Sequence, residues 1–71
     1  MLLDKMFIRA MEQNMVNGIK NGRQPGDWRD RDESGRRDRY DAIGRHYEKH
    51  DFAAVACNAM FCWVYKKMGL M

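Results

Sequence analysis

The chain has 71 residues and a net charge of +3, so we expect one small domain, residues 1–71, whose core buries only a modest surface. Domains of this size usually need disulfides, a metal or self-association. Cys57 and Cys62 lie five positions apart on one predicted helix, so their side chains point about 140° apart and cannot form a disulfide. No metal-type cysteine pair is present. Because the sequence indicates neither a disulfide nor a metal site, we expect the domain to be stabilised by self-association. The two free thiols indicate a reducing compartment.

The first predicted helix spans residues 2–20. Its apolar side chains recur at helical spacing, and these are Leu3, Phe7, Ala10, Met11, Met15 and Ile19. Asn21-Gly22 is a good helix terminator. The amphipathic first 15 residues lack a small-residue cleavage site, so we expect no signal peptide. The predicted location is cytoplasmic.

Residues 21–37 predict a charged loop, because glycine and proline punctuate the segment and no apolar periodicity is present. Trp28 is its only large apolar group, which either anchors the loop onto the core or offers a stacking platform for a base. The one positive cluster of the chain is Arg36, Arg37 and Arg39. Such a cluster either is solvated or binds phosphate.

The second predicted helix spans residues 38–49, with Ser34 or Asp38 near its start. Tyr40, Ile43 and Tyr47 form one narrow apolar stripe along it. Gly44 beside the stripe indicates either a close helix contact or a weak spot. The chain then enters the next helix almost without a spacer, which predicts a short turn or a kink at 49–51.

The third predicted helix spans residues 51–68, reading DFAAVACNAMFCWVYKKM. Asp51 is the predicted N-cap, and Gly69 is the predicted end of the helix. Its apolar run of about 14 residues is too short for a membrane span, which needs about 20. A helix that is apolar on every side must be covered on every side. We therefore expect an all-α fold of three helices that forms a homo-oligomer through the last helix, with no membrane role.

Asn58 is the single polar residue between Phe52 and Tyr65. A buried amide needs hydrogen-bond partners. It therefore either pairs across helices and fixes their register, or it faces a ligand.

Polar groups crowd the junction before the third helix. Glu48 and Asp51 have an E-x-x-D spacing, which places both carboxylates on one helix face if the helix is continuous. Such a pair can hold Mg²⁺ while phosphate oxygens and water complete its shell. Alternatively, Glu48 is simply exposed and Asp51 is simply a cap. His46 and His50 lie four apart and suit a transition metal, but no third ligand is obvious.

A family resemblance covers part of this region. Residues 45–65, RHYEKHDFAAVACNAMFCWVY, resemble the end of the dATP/dGTP diphosphohydrolase amino-terminal domain family. That phage and bacterial family is related in fold to MazG-like all-α nucleotide pyrophosphohydrolases. Its last helix carries a pattern like H-x-L-A-x-x-A-x-N-A-L-F-L, which HDFAAVACNAMF fits with Asn58, Ala59 and Phe61. Residues 17–29 resemble its helix end, glycine turn and tryptophan, and Arg45-His46 resembles an arginine–histidine pair.

Two positions depart from the family pattern. Related enzymes usually place paired acids on an early helix, where this chain has Glu12 alone, and many carry a histidine or an acid at the position of Ala54. The resemblance implies a nucleotide-handling fold and leaves catalysis open, since a protein that binds nucleotides without cleaving them would fit equally well. The activity that we expect is that of a Mg²⁺-dependent diphosphohydrolase, which splits a deoxynucleoside triphosphate into a monophosphate and pyrophosphate. Glu48 and Asp51 would be the catalytic and metal-binding pair. The implied substrate-binding residues are Trp28, Arg36, Arg37, Arg45, His46, His50 and Asn58.

Two other function classes stay open. The second is a non-enzymatic, phage-type inhibitor or nucleotide sponge that acts on a host system, with a nucleotide or a host protein as its partner. The third is a nucleic-acid-binding protein that uses the arginine cluster. Acidic residues interleave with those arginines and would repel phosphates, so nucleic acid is the less expected partner.

Overall fold

The computed structural model describes residues 2–20, 29 and 31–71, without the side chains of 18–20. It contains three α-helices, α1 (Leu2–Lys20), α2 (Glu33–Glu48) and α3 (Phe52–Lys67). No strand occurs in the described residues, so the predicted all-α fold of three helices is confirmed. None of the described helices combines the length and the apolar character that a membrane crossing requires.

The central element is α3, which packs against both α1 and α2. Its ends agree with the predicted ones to within one residue. The Asp51 carboxylate accepts a hydrogen bond from the Ala54 N–H at 3.3 Å, which satisfies a donor of the first helical turn. Gly69 follows the helix with a φ of 78°, a conformation that glycine adopts without steric cost. Both terminators therefore work as the sequence predicted.

The start of α2 differs from its prediction. The helix begins at Glu33, five residues earlier than predicted, so the loop prediction for 33–37 is wrong. Asp32 caps it, because its carboxylate accepts from the Gly35 N–H at 2.8 Å. This cap stabilises a first turn that contains Ser34 and Gly35, two residues of low helix propensity. Arg36 and Arg37 are consequently helical side chains.

The core lies along one side of α3. Its buried residues on that helix are Ala54, Cys57, Asn58, Phe61, Cys62 and Tyr65. α2 contributes Ala42. From α1, Met11 and Met15 pack against the central cluster of Cys57, Phe61 and Tyr65. Met11 and Met15 of the predicted α1 stripe are thus used in the core, whereas Leu3 and Phe7 of the same stripe are exposed. The side chain of Ile19, the last member of the stripe, lies outside the described residues.

Two features of the helix surfaces correct or refine the expectations. A Cβ placed on Gly44 would meet nothing within 4 Å among the described residues, so the close-contact interpretation of this glycine is wrong. The opposite side of α3 is not covered within one chain, because Phe52 and Trp63 are exposed. Self-association through α3 stays a prediction, and this uncovered side is the surface on which it depends.

Candidate functional site

The junction between α2 and α3 is a tight turn. α2 ends at Glu48, and His50 then adopts a left-handed conformation with a φ of 59°. The His50 N–H donates to the Tyr47 carbonyl and the Asp51 N–H to the His46 carbonyl, both at 3.0 Å. The helix is therefore interrupted between Glu48 and Asp51. The continuous helix face from which this carboxylate pair was predicted does not exist.

The Asp51 carboxylate has two local contacts. Its Oδ1 accepts from the Ala54 N–H, and its Oδ2 lies 3.8 Å from His46 Nδ1. Asp51 thus performs the capping role that was the alternative to metal binding, while Glu48 is exposed. Within the described part of the chain, no group of three or more histidine, cysteine, aspartate or glutamate side chains is placed to hold a metal. The Mg²⁺ site at Glu48 and Asp51 stays a prediction.

The two histidines have different surroundings. His46 is half-buried on α2 and faces the Asp51 carboxylate. His50 lies beyond the end of α2, and its ring stacks on Phe52 with 5.8 Å between ring centroids. Their predicted spacing on one helix face is therefore lost, because only His46 belongs to the helix.

The arginines of α2 are engaged with neighbours on the same helix. Arg37 Nε lies 3.3 Å from the Asp41 carboxylate, and its guanidinium lies 5.5 Å from the centre of the Tyr40 ring. Arg45 Nη2 lies 3.4 Å from the Asp38 carboxylate. Both pairs are solvent-exposed, so each contributes at most about 1 kcal/mol to stability. These arginines stay accessible to an anion that competes for them.

Arg36 and Arg39 point elsewhere. Arg36 Nη1 donates to the Arg31 carbonyl at 2.7 Å, while its buried Nε has no hydrogen-bond acceptor among the described residues. The Arg39 guanidinium lies over the Phe61 ring, 5.1 Å from its centre. The predicted positive cluster is therefore divided among several local contacts. Trp28, the predicted base-stacking residue, lies outside the described residues.

Asn58 is buried on α3. Its side-chain Nδ2 donates to the Ala54 carbonyl of the same helix at 2.8 Å. Its Oδ1 is buried without a hydrogen-bond partner in the described part of the structure. No bond across helices is thus found for this amide among those residues, and the ligand-facing role stays a prediction. An unsatisfied buried acceptor typically costs about 1–3 kcal/mol, so Asn58 is a weak point of the core.

An open groove of about 620 Å³ lies between α2 and α3. It is lined by Tyr40, Ile43, Ala59, Cys62, Trp63, Lys66 and Met71. None of the predicted site residues that the structure describes lines it. The Tyr40–Ile43–Tyr47 stripe predicted an apolar side of α2, but a third helix that is apolar on every side does not show which of its residues face outward. The structure shows that Trp63 is one of them, since it is 62% exposed.

The amino-terminal half of α1 is a second apolar surface. Its exposed large side chains are Leu2, Leu3, Met6, Phe7 and Ile8. Leu3, Phe7, Met11 and Met15 recur every four residues, so they form one row along the helix. The last two members of the row pack on the core cluster, and the first two extend beyond it.

The buried thiols are poor nucleophiles. Burial raises the pKa of Cys57 and of Cys62, and the positive charge of Arg39 opposes the shift only in part. Burial likewise raises the pKa of Tyr65. A thiol reacts through its thiolate, so these cysteines are suited to packing rather than to covalent catalysis.

Comparisons of the chain with models of protein families, with curated proteins and with solved structures find no match in any of the three. The resemblance at residues 45–65 is thus neither supported nor refuted, and it stays a prediction.

Proposed function

We propose that this protein acts by binding another protein through the amino-terminal half of α1. This is the non-enzymatic class of function, a small helical inhibitor or adaptor. The observation that carries the proposal is the exposure of four large hydrophobic side chains, Leu2, Leu3, Met6 and Phe7, which lie within about 140° of one another around α1. Contiguous apolar surface on a small protein commonly marks an interaction site, whereas scattered apolar residues do not.

The row along α1 defines the chemistry of the partner. Phe7 is 42% exposed, and the next residue in the row, Met11, packs on the core cluster. A partner that covers Leu3 and Phe7 would therefore extend an existing core. The fitting partner offers an apolar groove that accepts one face of a helix, a common mode of peptide recognition. Met6 beside this row adds an adaptable contact.

A matched pair of substitutions tests this proposal. Val16 is 41% exposed, close to the exposure of Phe7, but it lies on another side of α1. Tagged wild-type, Phe7→Ser and Val16→Ser proteins would be used to capture proteins from an extract of the cells that make this chain. We expect one captured protein to be lost with Phe7→Ser and retained with Val16→Ser.

Two results would contradict the proposal. One is a set of captured proteins that does not differ between the two variants. The other is retention with Phe7→Ser and loss with Val16→Ser. Circular dichroism of both variants supplies the folding control, because each replaces an exposed side chain and should leave helicity intact.

Nucleotide handling with Mg²⁺ is the second candidate function. Arg45 favours it, because its guanidinium is exposed one helical turn before Glu48 and can bind a phosphate oxygen beside a metal held there. Arg37 lies on the same helix and is also exposed. In this scheme Glu48 and Asp51 hold Mg²⁺ beneath the phosphates, and the product is a monophosphate with pyrophosphate.

Calorimetric titration and pyrophosphate detection test the second candidate. Each deoxynucleoside triphosphate would be added with Mg²⁺ and then with a chelator. Glu48→Gln removes one charge, and Asp51→Asn keeps a capping oxygen, so both variants should fold. The hypothesis requires both to weaken Mg²⁺-dependent binding. If both variants bind as the wild type does, the two carboxylates do not hold the metal.

A further inference from the structure

We infer that the outward face of α3 pairs with the same face of a second copy of this chain, the two α3 helices running antiparallel. The outward face is defined by Phe52, Ala56, Ala59 and Trp63. Like the proposed function, the pairing rests on exposed apolar helix surface. It uses a different helix, however, so each can fail alone.

The outward face is continuous and apolar. Separations of 4, 7 and 11 residues return to the same side of a helix, so Phe52, Ala56, Ala59 and Trp63 share one side. Phe52 is 52% exposed and Trp63 is 62% exposed. Between these two aromatic residues, Asn58 is the only polar side chain, and it is buried on the opposite side.

The face extends onto α2. Tyr40 and Tyr47 are exposed there, and the Tyr47 ring meets the Phe52 ring edge-on with 6.3 Å between centroids. Four aromatic side chains, each about half exposed, offer roughly 400 Å² of surface for burial. A standard interface buries about 800 Å² on each partner, so the aromatic residues supply about half of it. The lining of the α2–α3 groove continues this surface.

The charges at the two ends of α3 favour a second copy as the occupant. Lys66 and Lys67 follow the outward face, whereas Glu48 and Asp51 precede it, with Lys49 between them. An antiparallel pair places the basic end of each α3 beside the net acidic end of the other. The helix dipoles then also lie in opposite directions. A parallel pair would instead set Lys66 and Lys67 of both copies against each other.

The sizes of the side chains match the same arrangement. A two-fold axis midway between Cys57 and Asn58 places Phe52 against the partner's Trp63. It also places Ala56 against the partner's Ala59, so small side chains meet at the centre. Small residues at the centre allow the axes to approach at the short end of the usual range of about 8–10 Å. The surface is therefore self-complementary, as a two-fold dimer requires.

Sedimentation equilibrium of the full chain tests the pairing. Wild-type protein should form a dimer at micromolar concentration. Ala59→Glu places a charge at the centre of the interface and should raise the dimer Kd by at least about tenfold. Position 59 is exposed and glutamate is a good helix former, so circular dichroism should show unchanged helicity. Val16→Ser and Phe7→Ser should leave the dimer intact.

A charge exchange tests the antiparallel orientation. Lys67→Glu alone and Glu48→Lys alone should each weaken the dimer at low salt, where such contacts are least screened. The double variant restores opposite charges at both ends, so it should recover most of the lost affinity. A parallel dimer predicts no recovery.

Three results would overturn the inference. These are a monomeric wild type throughout the micromolar range, a dimer that Ala59→Glu leaves unchanged, and a double variant without recovery. The capture experiment with Phe7→Ser is read separately. Loss of the dimer therefore leaves the α1 proposal standing, and loss of α1 binding leaves the dimer standing.

Discussion

The two helices that flank α3 contact it in different ways. α2 is joined to α3 by a tight turn, and both helices of this pair begin at an aspartate cap. α1 contacts the core through Met11 and Met15, and half of its length extends beyond the core. Local stability follows the number of buried apolar contacts. The comparison therefore predicts that α1 separates from α3 more easily than α2 does.

The most destabilising substitution should be Phe61→Asp, because Phe61 of α3 lies where the contacts with α1 and with α2 meet. The ring is 5% exposed, Arg39 of α2 lies over it, and the α1 methionines pack on its cluster. Burying a carboxylate there should lower the free energy of unfolding by about 4 kcal/mol or more. Chemical denaturation followed by circular dichroism measures this effect. Val16→Asp is the exposed control, and an equal loss in both variants would contradict the prediction.

Met11→Ala should affect α1 selectively. Truncating a buried methionine costs about 2–5 kcal/mol, and Met11 is only half-buried, so we expect about 2 kcal/mol. Hydrogen exchange should show α1 amides losing protection while α2 and α3 amides keep theirs. Met6→Ala, at an exposed position, should change protection little. Uniform loss of protection across the three helices would show that they unfold as one unit.

Alkaline pH should destabilise the core. Burial raises the folded-state pKa of Cys57 and Cys62 above the ordinary value of 9.0, so the folded state holds these protons more tightly than the unfolded state does. The resulting stability is fully present below pH 9 and is lost as the pH rises further. Denaturation curves at pH 8 and pH 10 measure it. Replacing both cysteines by alanine should reduce the difference, and identical wild-type curves would contradict the prediction.

The smallest expected effect is stabilisation by Gly44→Ala. A Cβ at this position meets nothing within 4 Å among the described residues. Alanine has a higher helix propensity than glycine, so unfolding should cost about 0.8–1 kcal/mol more. Because Gly44 lies in α2, the gain should appear in the protection of α2 amides. A loss of stability would indicate a contact at this position that the described residues do not make.

The sequence predicts most of the fold because its signals are local. Helical periodicity locates α1, and the Asp51 cap and Gly69 bound α3. The start of α2 was missed because Ser34 and Gly35 oppose a helix, while the Asp32 cap that offsets them depends on a single hydrogen bond. At such a boundary the low helix propensity of the first residues and the favourable cap each change the stability of the first turn by a few tenths to about one kcal/mol. The two effects nearly cancel, so the sequence pattern alone does not show where the helix begins.

The candidate site was harder to predict because spacing does not reveal how a junction folds. Glu48 and Asp51 share a face only in a continuous helix, and the left-handed His50 interrupts it. Trp63 lies on a helix that is apolar on every side, so its sequence surroundings do not show which side faces outward. The groove therefore emerges only from the packing of α2 on α3.

The buried thiols give this chain two native reporters of opening. Cys62 lines the groove beside α2, whereas Cys57 belongs to the cluster that the α1 methionines cover. A thiol reagent modifies a buried cysteine faster when the surrounding side chains move apart, so the modification rate measures how often the packing around each thiol opens. One unlabelled sample thus reports on opening at the core cluster beside α1 and on opening at the α2–α3 groove, with mass spectrometry distinguishing the two modified positions.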